Sequence, residues 1–235
     1  MKQFAVIGDP IEHSLSPRIH TLFAAQAGID LEYRKLRVHA TELQRDIETF
    51  FTNGGTGLNI TVPHKQTVFK LCKSLTPRAQ LAGAVNTLYL EDGKLAGDNT
   101  DGVGLVRDIS NNLRVTCRNS KLLIIGAGGA SRGILEPLLA LSPGSIDIAN
   151  RTHSKAVELV SLFQHLGKIR ALSFSELSIE YDVVVNASSS SLQDDIPAIP
   201  EHCLTKSELA YDLMYASTAT PFMAFAAQAG AQQQS

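Results

Sequence analysis

Two short segments of the sequence gather polar side chains around Lys65 and Asp101. Residues 59–65 read Asn-Ile-Thr-Val-Pro-His-Lys, and residues 97–102 read Gly-Asp-Asn-Thr-Asp-Gly. Asparagine and threonine offer short donors and acceptors that suit a polyhydroxylated ligand, while Lys65 and Asp101 together can move a proton near neutral pH. Each segment alone is also typical of an ordinary turn, so the surrounding strands and helices must show whether the two segments form one site.

The overall composition favours a soluble protein that acts on a small molecule. The chain has 235 residues, of which 44% are hydrophobic and 19% charged, and this length suits two modest domains. A formal charge of −2 supplies no basic field for nucleic acid. No apolar run is long enough to cross a membrane, and the N-terminus lacks a secretory pattern, so we expect a cytoplasmic protein.

The three cysteines and seven histidines do not suggest a metal or a disulfide framework. The cysteines are odd in number and far apart, and no Cys-x-x-Cys or His-Glu-x-x-His pattern occurs. We therefore expect no metal site and reduced thiols. The sequence leaves a monomer and a homodimer both open.

The first hundred residues alternate strand and helix patterns. Strands are predicted over residues 3–8, 31–38 and 57–62. Ser16, followed by Pro17, is the predicted N-cap of a helix that runs to Ala27. Thr41 and Gln44 form a predicted capping box for a helix that runs to about Thr52.

A hairpin closes this first half. Residues 86–90 and 94–96 flank Asp92-Gly93, a strong signal for a two-residue turn, so we predict an α/β domain with an antiparallel edge. A helical pattern covers residues 101–113. We place the domain boundary near Asp101, which gives domains of residues 1–101 and 102–235.

The second half contains a nucleotide-binding pattern. A buried strand at residues 121–125 leads into Gly126-Ala127-Gly128-Gly129-Ala130-Ser131, and a helix is predicted over residues 132–141. Glycines let the backbone approach a pyrophosphate, and a helix N-terminus supplies N–H donors. Strand before and helix after favour dinucleotide binding over a merely structural turn.

The next predicted strand, at residues 145–149, indicates which dinucleotide is bound. An NAD site normally has Asp or Glu at this strand end to bind the ribose 2′-hydroxyl, but this chain has Asn150, Arg151 and Thr152, with Lys155 one turn further on. Neutral and basic groups suit the 2′-phosphate of NADP. Two more strands at 181–186 and 209–213 complete a doubly wound, Rossmann-like topology.

The ordered motifs of the chain resemble those of the shikimate dehydrogenase family. They are Gly8-Asp9-Pro10 with His13-Ser14-Leu15-Ser16-Pro17; Asn59-Ile60-Thr61-Val62-Pro63 with Lys65; Leu81 to Thr87; Gly97 to Gly102; Gly126 to Ala130; and Asn150-Arg151-Thr152 with Tyr211, Asp212 and Tyr215. The resemblance runs from about residue 3 to about residue 230. It implies reversible, NADPH-dependent reduction of 3-dehydroshikimate to shikimate, a step toward chorismate and the aromatic amino acids.

The resemblance also implies roles for individual residues. Ser14 and Ser16 would bind the substrate carboxylate; Asn59, Thr61, Asn86 and Asp101 would hold the ring hydroxyls; and Tyr215 would close the site. Lys65 and Asp101 would carry the proton transfer. The cofactor would contact Gly126, Ala127, Gly128, Gly129, Ala130, Asn150, Arg151, Thr152, Lys155 and Leu213.

Two alternatives stay open at this point. A relative that acts on quinate differs by one substrate hydroxyl, which no residue pattern resolves. The family pattern also continues with C-terminal helices that return to the first domain, and these have no counterpart before Ser235. A truncated, non-catalytic ligand-binding form is therefore the second alternative.

Overall fold

Two sheets organise the chain, and each belongs to its own compact unit. The computed structural model describes residues 1–188, 190, 195–214 and 218–235. The units are Met1–Thr100 and Asp101–Ser235.

The strands are β1 Lys2–Gly8, β2 Leu31–Arg37, β3 Gly55–Ile60, β4 Ser74–Leu75, β5 Thr87–Glu91, β6 Lys94–Asp98, β7 Lys121–Ile125, β8 Ser145–Ala149, β9 Ile169–Leu172, β10 Val183–Asn186 and β11 Leu209–Asp212. The helices are α1 Ser16–Ala27, α2 Leu43–Thr52, α3 Lys65–Leu71, α4 Pro77–Ala82, α5 Asp101–Arg107, α6 Gly129–Ala140, α7 His153–Phe163 and α8 Pro221–Ala229. A π-helical turn, Asp108–Asn112, extends α5. Among the described residues, no helix is both long and apolar enough to span a bilayer.

The first unit has a mixed sheet in the order β2-β1-β3-β5-β6-β4. The predicted hairpin is present, since Asp92 and Gly93 both adopt positive φ, at 51° and 74°. The prediction of an antiparallel edge was wrong, because β5 lies inside the sheet. The hairpin turns β6 back to run parallel to β3, and the two-residue strand β4 pairs with β6 at the edge.

Two predicted helix caps in this unit were also wrong. Leu15, not Ser16, is the N-cap of α1, with φ −88° and ψ −4°. The chain therefore enters the helix one residue earlier than the Ser-Pro pattern suggested. Glu42 is the N-cap of α2. Gln44, predicted to complete a capping box, donates instead to Glu48 one turn along the helix, at 2.9 Å.

The second unit has five parallel strands in the order β11-β10-β7-β8-β9. The chain moves outward from β7 in both directions, so the α/β class and the Rossmann-like topology predicted for this half are confirmed. Strands β7 and β8 have the predicted bounds. Helix α6 begins at Gly129, three residues before the predicted start, so Gly129, Ala130 and Ser131 belong to the helix and not to the turn.

Candidate active site

Topology brings the polar segments of the first unit to one edge of its sheet. Strands β1, β3 and β6 run in the same direction and end there, while β5 runs against them and begins there. Thr61 follows β3, Asn86 precedes β5 and Thr100 follows β6. Segments separated by up to 40 positions in the sequence therefore share the end of the sheet where α/β proteins bind ligands.

A chain of hydrogen bonds holds the two asparagines at this edge. The hydroxyl of Tyr33 donates to Asn59 Oδ1 at 2.5 Å, and Asn59 Nδ2 donates to the Asn86 carbonyl at 3.4 Å. Asn86 Oδ1 accepts from the Thr87 hydroxyl at 2.8 Å and from the Thr100 backbone N–H at 3.0 Å. Both amides are thus oriented by the protein before any ligand arrives, which lowers the entropic cost of binding.

Tyr33 is a site residue that the sequence did not reveal. It lies on β2, 26 positions from Asn59, so no local motif contains both. The ring of His20 stacks on Tyr33 with centroids 4.5 Å apart, and burial lowers the pKa of His20. A neutral imidazole then packs against the phenol, and this contact fixes the tyrosine ring.

The backbone of Lys65 is anchored on both sides. Lys65 is the first residue of α3 and is half-buried. Its carbonyl accepts from the Val85 N–H at 2.9 Å. The preceding residue, His64, is buried, and its Nε2 contacts the Val38 carbonyl at 2.7 Å. The backbone at Lys65 is therefore bonded to Val85, two residues before β5. Through His64 it is also connected to Val38, the residue after β2.

The two predicted carboxylate-binding serines lie where the loop after β1 enters α1, with Ser14 in the loop and Ser16 as the first residue of the helix. Ser14 and Ser16 are half-buried, and Ser14 Oγ accepts from the Ser16 N–H at 3.3 Å. Arg37 of β2 holds the loop through Asp9 at 2.8 Å and Glu12 at 3.2 Å. The hydrogen bond from Arg37 lowers the pKa of Asp9.

Asp98 orders the turn between β6 and α5. Its carboxylate accepts two hydrogen bonds from Arg78, at 2.7 and 2.5 Å, one from the Thr76 hydroxyl at 2.6 Å, and one from the Asn99 N–H at 2.7 Å. The bonds from Arg78 are the main reason that the pKa of Asp98 falls to about 2. The predicted site included the motif around Asp98 but gave this residue no role. Its role is to hold the segment that leads to Asp101.

Asp101 begins the second unit as the first residue of α5 and is half-buried. It follows Thr100, whose backbone and hydroxyl both bind Asn86 of the first unit. An acidic side chain in the first turn of a helix also interacts favourably with the helix dipole.

The predicted nucleotide turn joins β7 to α6. Gly126 has φ +109°, and a Cβ added there would lie 3.0 Å from Ala187 C and O and from Ser188 N. Gly128 faces open space: apart from Gly128 itself and its two chain neighbours, no described residue has an atom within 4 Å of the position that its Cβ would take. Ser131 is fully buried and donates to the Gly126 carbonyl at 2.8 Å, which supports the predicted close packing of helix on strand.

We expect Gly126→Ala to lower the free energy of unfolding by about 2 kcal/mol or more. The new methyl group would combine a positive φ with a contact against backbone atoms that cannot move aside. Thermal and urea unfolding would measure the loss. Gly104→Ala is the control, because its Cβ meets no described atom within 4 Å and alanine favours the helix. Equal stability of the two variants would contradict the expectation.

The end of β8 has the predicted neutral and basic side chains. Asn150 Nδ2 donates to the Thr152 carbonyl at 2.8 Å, which folds the backbone into the start of α7. Arg151, Thr152 and Lys155 are exposed, and Lys155 lies in the first turn of α7. Three polar or cationic side chains thus stand at a helix N-terminus, an arrangement suited to an anion.

Two further predicted residues follow β11. Leu213 is half-buried, and its N–H donates to the Asn186 carbonyl at 2.9 Å. Tyr215, predicted to close the site, lies outside the described residues.

Comparison with protein families matches both units. Residues 6–88 match the model described as shikimate dehydrogenase substrate binding domain. Residues 108–197 match the model described as shikimate / quinate 5-dehydrogenase.

Individual proteins are also similar to this chain. A curated relative from Hahella chejuensis, named shikimate dehydrogenase (NADP(+)), is 45% identical over 98% of this chain and 86% of its own length. A crystal structure of an Ael1 enzyme from Pseudomonas putida aligns with a TM-score of 0.90 and 40% identity over 100% of this chain and 86% of that one. Shikimate 5-dehydrogenase from Thermus thermophilus, solved in complex with NADP(H) and shikimate, aligns with a TM-score of 0.86 and 28% identity over 99% of this chain and 86% of that one. This chain belongs to the shikimate dehydrogenase family.

Proposed function

We propose that this protein is an NADP-dependent shikimate dehydrogenase, an oxidoreductase that reversibly reduces the ketone of 3-dehydroshikimate to the CH–OH group of shikimate. The observation that carries the proposal is the 45% identity, over 98% of the chain, to a relative named for this activity. Residues 1–101 form the substrate domain, and residues 102–235 form the NADP-binding domain. The reaction belongs to the biosynthesis of chorismate and the aromatic amino acids.

The residues of the second unit fit NADP(H). The open space at Gly128 leaves room for a pyrophosphate beside the N-terminus of α6. Gly126, Ala127, Gly128, Gly129 and Ala130 hold this group, and Leu213 lies against the cofactor. When bound, NADPH supplies the hydride.

The neutral and basic side chains after β8 select the phosphorylated cofactor. Asn150, Arg151, Thr152 and Lys155 surround the adenosine 2′-phosphate. Arginine and lysine form charge-assisted hydrogen bonds with phosphate, which a ribose hydroxyl cannot match.

The first unit binds the substrate. Ser14 and Ser16 bind the carboxylate through their hydroxyls, and Asn59, Thr61 and Asn86 bind the ring hydroxyls together with Asp101. The pre-oriented amides of Asn59 and Asn86 support this assignment, because each has its own hydrogen bonds within the protein that fix its direction. Tyr215 completes the substrate contacts.

Lys65 supplies the proton. As the carbonyl carbon is reduced, negative charge grows on its oxygen, and an ammonium group both stabilises that charge and donates a proton to the oxygen. Asp101 keeps the lysine in place and shares in the proton transfer. In the reverse direction, the same groups remove the proton from the shikimate hydroxyl.

We expect Arg151→Ala to raise KM for NADP+ by about 10- to 100-fold and to leave KM for NAD+ nearly unchanged, because only NADP+ carries the phosphate that this guanidinium binds. Steady-state kinetics with both cofactors would measure the ratio. Arg118→Ala removes another exposed arginine of the same unit and is the control. Equal losses for NADP+ and NAD+ would overturn the assignment of Arg151.

The activity itself is tested by following nicotinamide reduction by absorbance with purified protein, shikimate and NADP+. Intact mass defines the chain that is assayed. A parallel assay with quinate tests the quinate/shikimate variant, which the name of the second family model favours. A protein of full mass that binds NADPH and shikimate without turnover would instead be a non-catalytic ligand-binding form.

We also propose that the protein works in the cytoplasm, where biosynthetic reductases draw on NADPH. Its three cysteines, Cys72, Cys117 and Cys203, are all free thiols, which agrees with a reducing compartment. Fractionation of cells would test the location, and light scattering would distinguish monomer from homodimer.

A further inference from the structure

Two buried polar side chains face each other at the ends of β10 and β11. Asn186 is fully buried and Asp212 is 5% exposed. They are direct partners in the register of the two parallel strands, and Asn186 Nδ2 donates to Asp212 Oδ1 at 3.2 Å. Burial of a carboxylate is costly unless several donors compensate, so the other bonds of this pair indicate what it does.

Those bonds go to residues that lie just beyond the strands. Asn186 Oδ1 accepts from the Ser188 N–H at 3.2 Å and from the Ser188 hydroxyl at 2.7 Å. Asp212 Oδ1 accepts from the Met214 N–H at 3.0 Å, and the Leu213 N–H donates to the Asn186 carbonyl. The pair therefore fixes the first residues of two separate loops.

A third contact of the pair reaches α8. Asp212 Oδ2 accepts from the Thr220 hydroxyl at 2.7 Å. The same Thr220 oxygen accepts from the Met223 N–H at 3.2 Å and so caps the helix. The two side chains together thus join two loop starts to a helix N-terminus.

The first of these loops borders the nucleotide turn. The Ala187 N–H donates to the Ile125 carbonyl at 2.8 Å, and the position of a Cβ on Gly126 lies 3.0 Å from Ser188 N. In doubly wound sheets the ligand lies just beyond the carboxyl ends of the strands, which is where Ser188 and Leu213 emerge.

We propose that Asn186 and Asp212 are positioning residues for NADP(H): without touching the cofactor, their side chains hold Ser188 and Met214 in the arrangement that binds it. The inference rests on the proposed function and extends it to two residues of the sheet interior. A purely structural pair would affect stability alone, whereas a positioning pair also affects the affinity for NADPH in the folded protein.

The matched experiment compares Asp212→Ala with Asp147→Ala. Asp147 is fully buried in the same sheet, and it accepts two bonds from Arg170 and one from the Tyr181 hydroxyl, each at 2.8 Å. We expect both variants to lower the Tm. Only Asp212→Ala should raise the Kd for NADPH, by about tenfold.

Asp212→Asn is the rescue variant, because its amide oxygen can still accept from the Met214 N–H. We expect it to recover most of the affinity for NADPH. Asn186→Asp is a further variant that keeps the acceptor for Ser188 and places two carboxylates against each other. Its NADPH affinity should be weak at neutral pH and should improve as pH falls, since a shared proton restores the hydrogen bond.

NADPH fluorescence titration would measure these affinities at a temperature where each variant is folded. Equal NADPH affinities of the Asp212→Ala and Asp147→Ala proteins would overturn the inference. If Asp212→Ala does not fold, the Asn186→Asp protein provides the test, and an NADPH affinity that does not change with pH would overturn the inference. Failure of the unsubstituted protein to bind NADPH would remove the proposed function instead, so the two failures are distinguishable.

Discussion

A Lys65→Ala variant should keep its affinity for shikimate and NADPH within a few-fold and lose about 10³-fold in kcat. Removal of a positioned acid or base typically costs 10²- to 10⁴-fold, and in the proposed mechanism the same ammonium also stabilises the developing oxyanion. The loss should fall on kcat because the interaction strengthens only as charge grows on the carbonyl oxygen. Turnover measured in both directions, together with KM for each substrate, would show this pattern.

Lys70→Ala is the matched control for this experiment. Lys70 lies in the last turn of the same helix, α3, so its removal changes the net charge equally and leaves the site intact. Near-normal kcat in Lys65→Ala would sink the proposed role of Lys65. A similar loss in both variants would show that the effect arises from charge or helix stability.

Four of the five strands in the second half could be predicted from the sequence because most of their residues are buried, whereas the edge strand β9, which is only partly buried, was not predicted. The apolar runs of β7 and β8 match the predicted bounds, and a parallel sheet of such strands has few alternatives. In the first half, the two-residue strand β4 carries no periodicity, and the position of β5 inside the sheet depends on how β6 pairs. Neither feature is encoded in a local pattern.

The helix caps show how tertiary structure overrides a local motif. Ser16 and the Thr41/Gln44 pair are the right residue types for caps, but Leu15 and Glu42 take those positions in the structure. The conformation of the loop after β1 decides where α1 begins. There the Ser14 hydroxyl oxygen accepts a hydrogen bond from the Ser16 N–H, and Ser16 is the first residue of the helix instead of its N-cap.

The candidate site could be predicted as a set of residues but not as a network. Short motifs contain Asn59, Asn86 and Asp101, because each lies in a turn or at a strand end. The bonds that orient them come from partners such as Tyr33, which becomes a neighbour of Asn59 only when the strands pair. The same is true of Asn186 and Asp212, which are 26 positions apart.

Asp101→Asn should lower kcat by about 10²-fold, with less effect on the affinity for shikimate. The amide has the shape of the carboxylate and keeps one acceptor oxygen, but it has neither the charge that orients an ammonium nor the basicity to share a proton. The variant also loses a favourable interaction with the dipole of α5, which accounts for about 0.3 to 1 kcal/mol of stability. Asp46→Asn removes an acid from the first turn of α2 and serves as the control for that smaller effect.

The double variant Lys65→Ala/Asp101→Asn separates two views of the proton transfer. If Asp101 acts through Lys65, its loss matters little once the lysine is gone, and kcat of the double variant should equal that of Lys65→Ala. If Asp101 exchanges the proton independently, the two losses should multiply to about 10⁵-fold. We expect the first result, because the proposed mechanism assigns the contact with the developing oxyanion to the ammonium. A multiplicative loss would reassign the acid to Asp101.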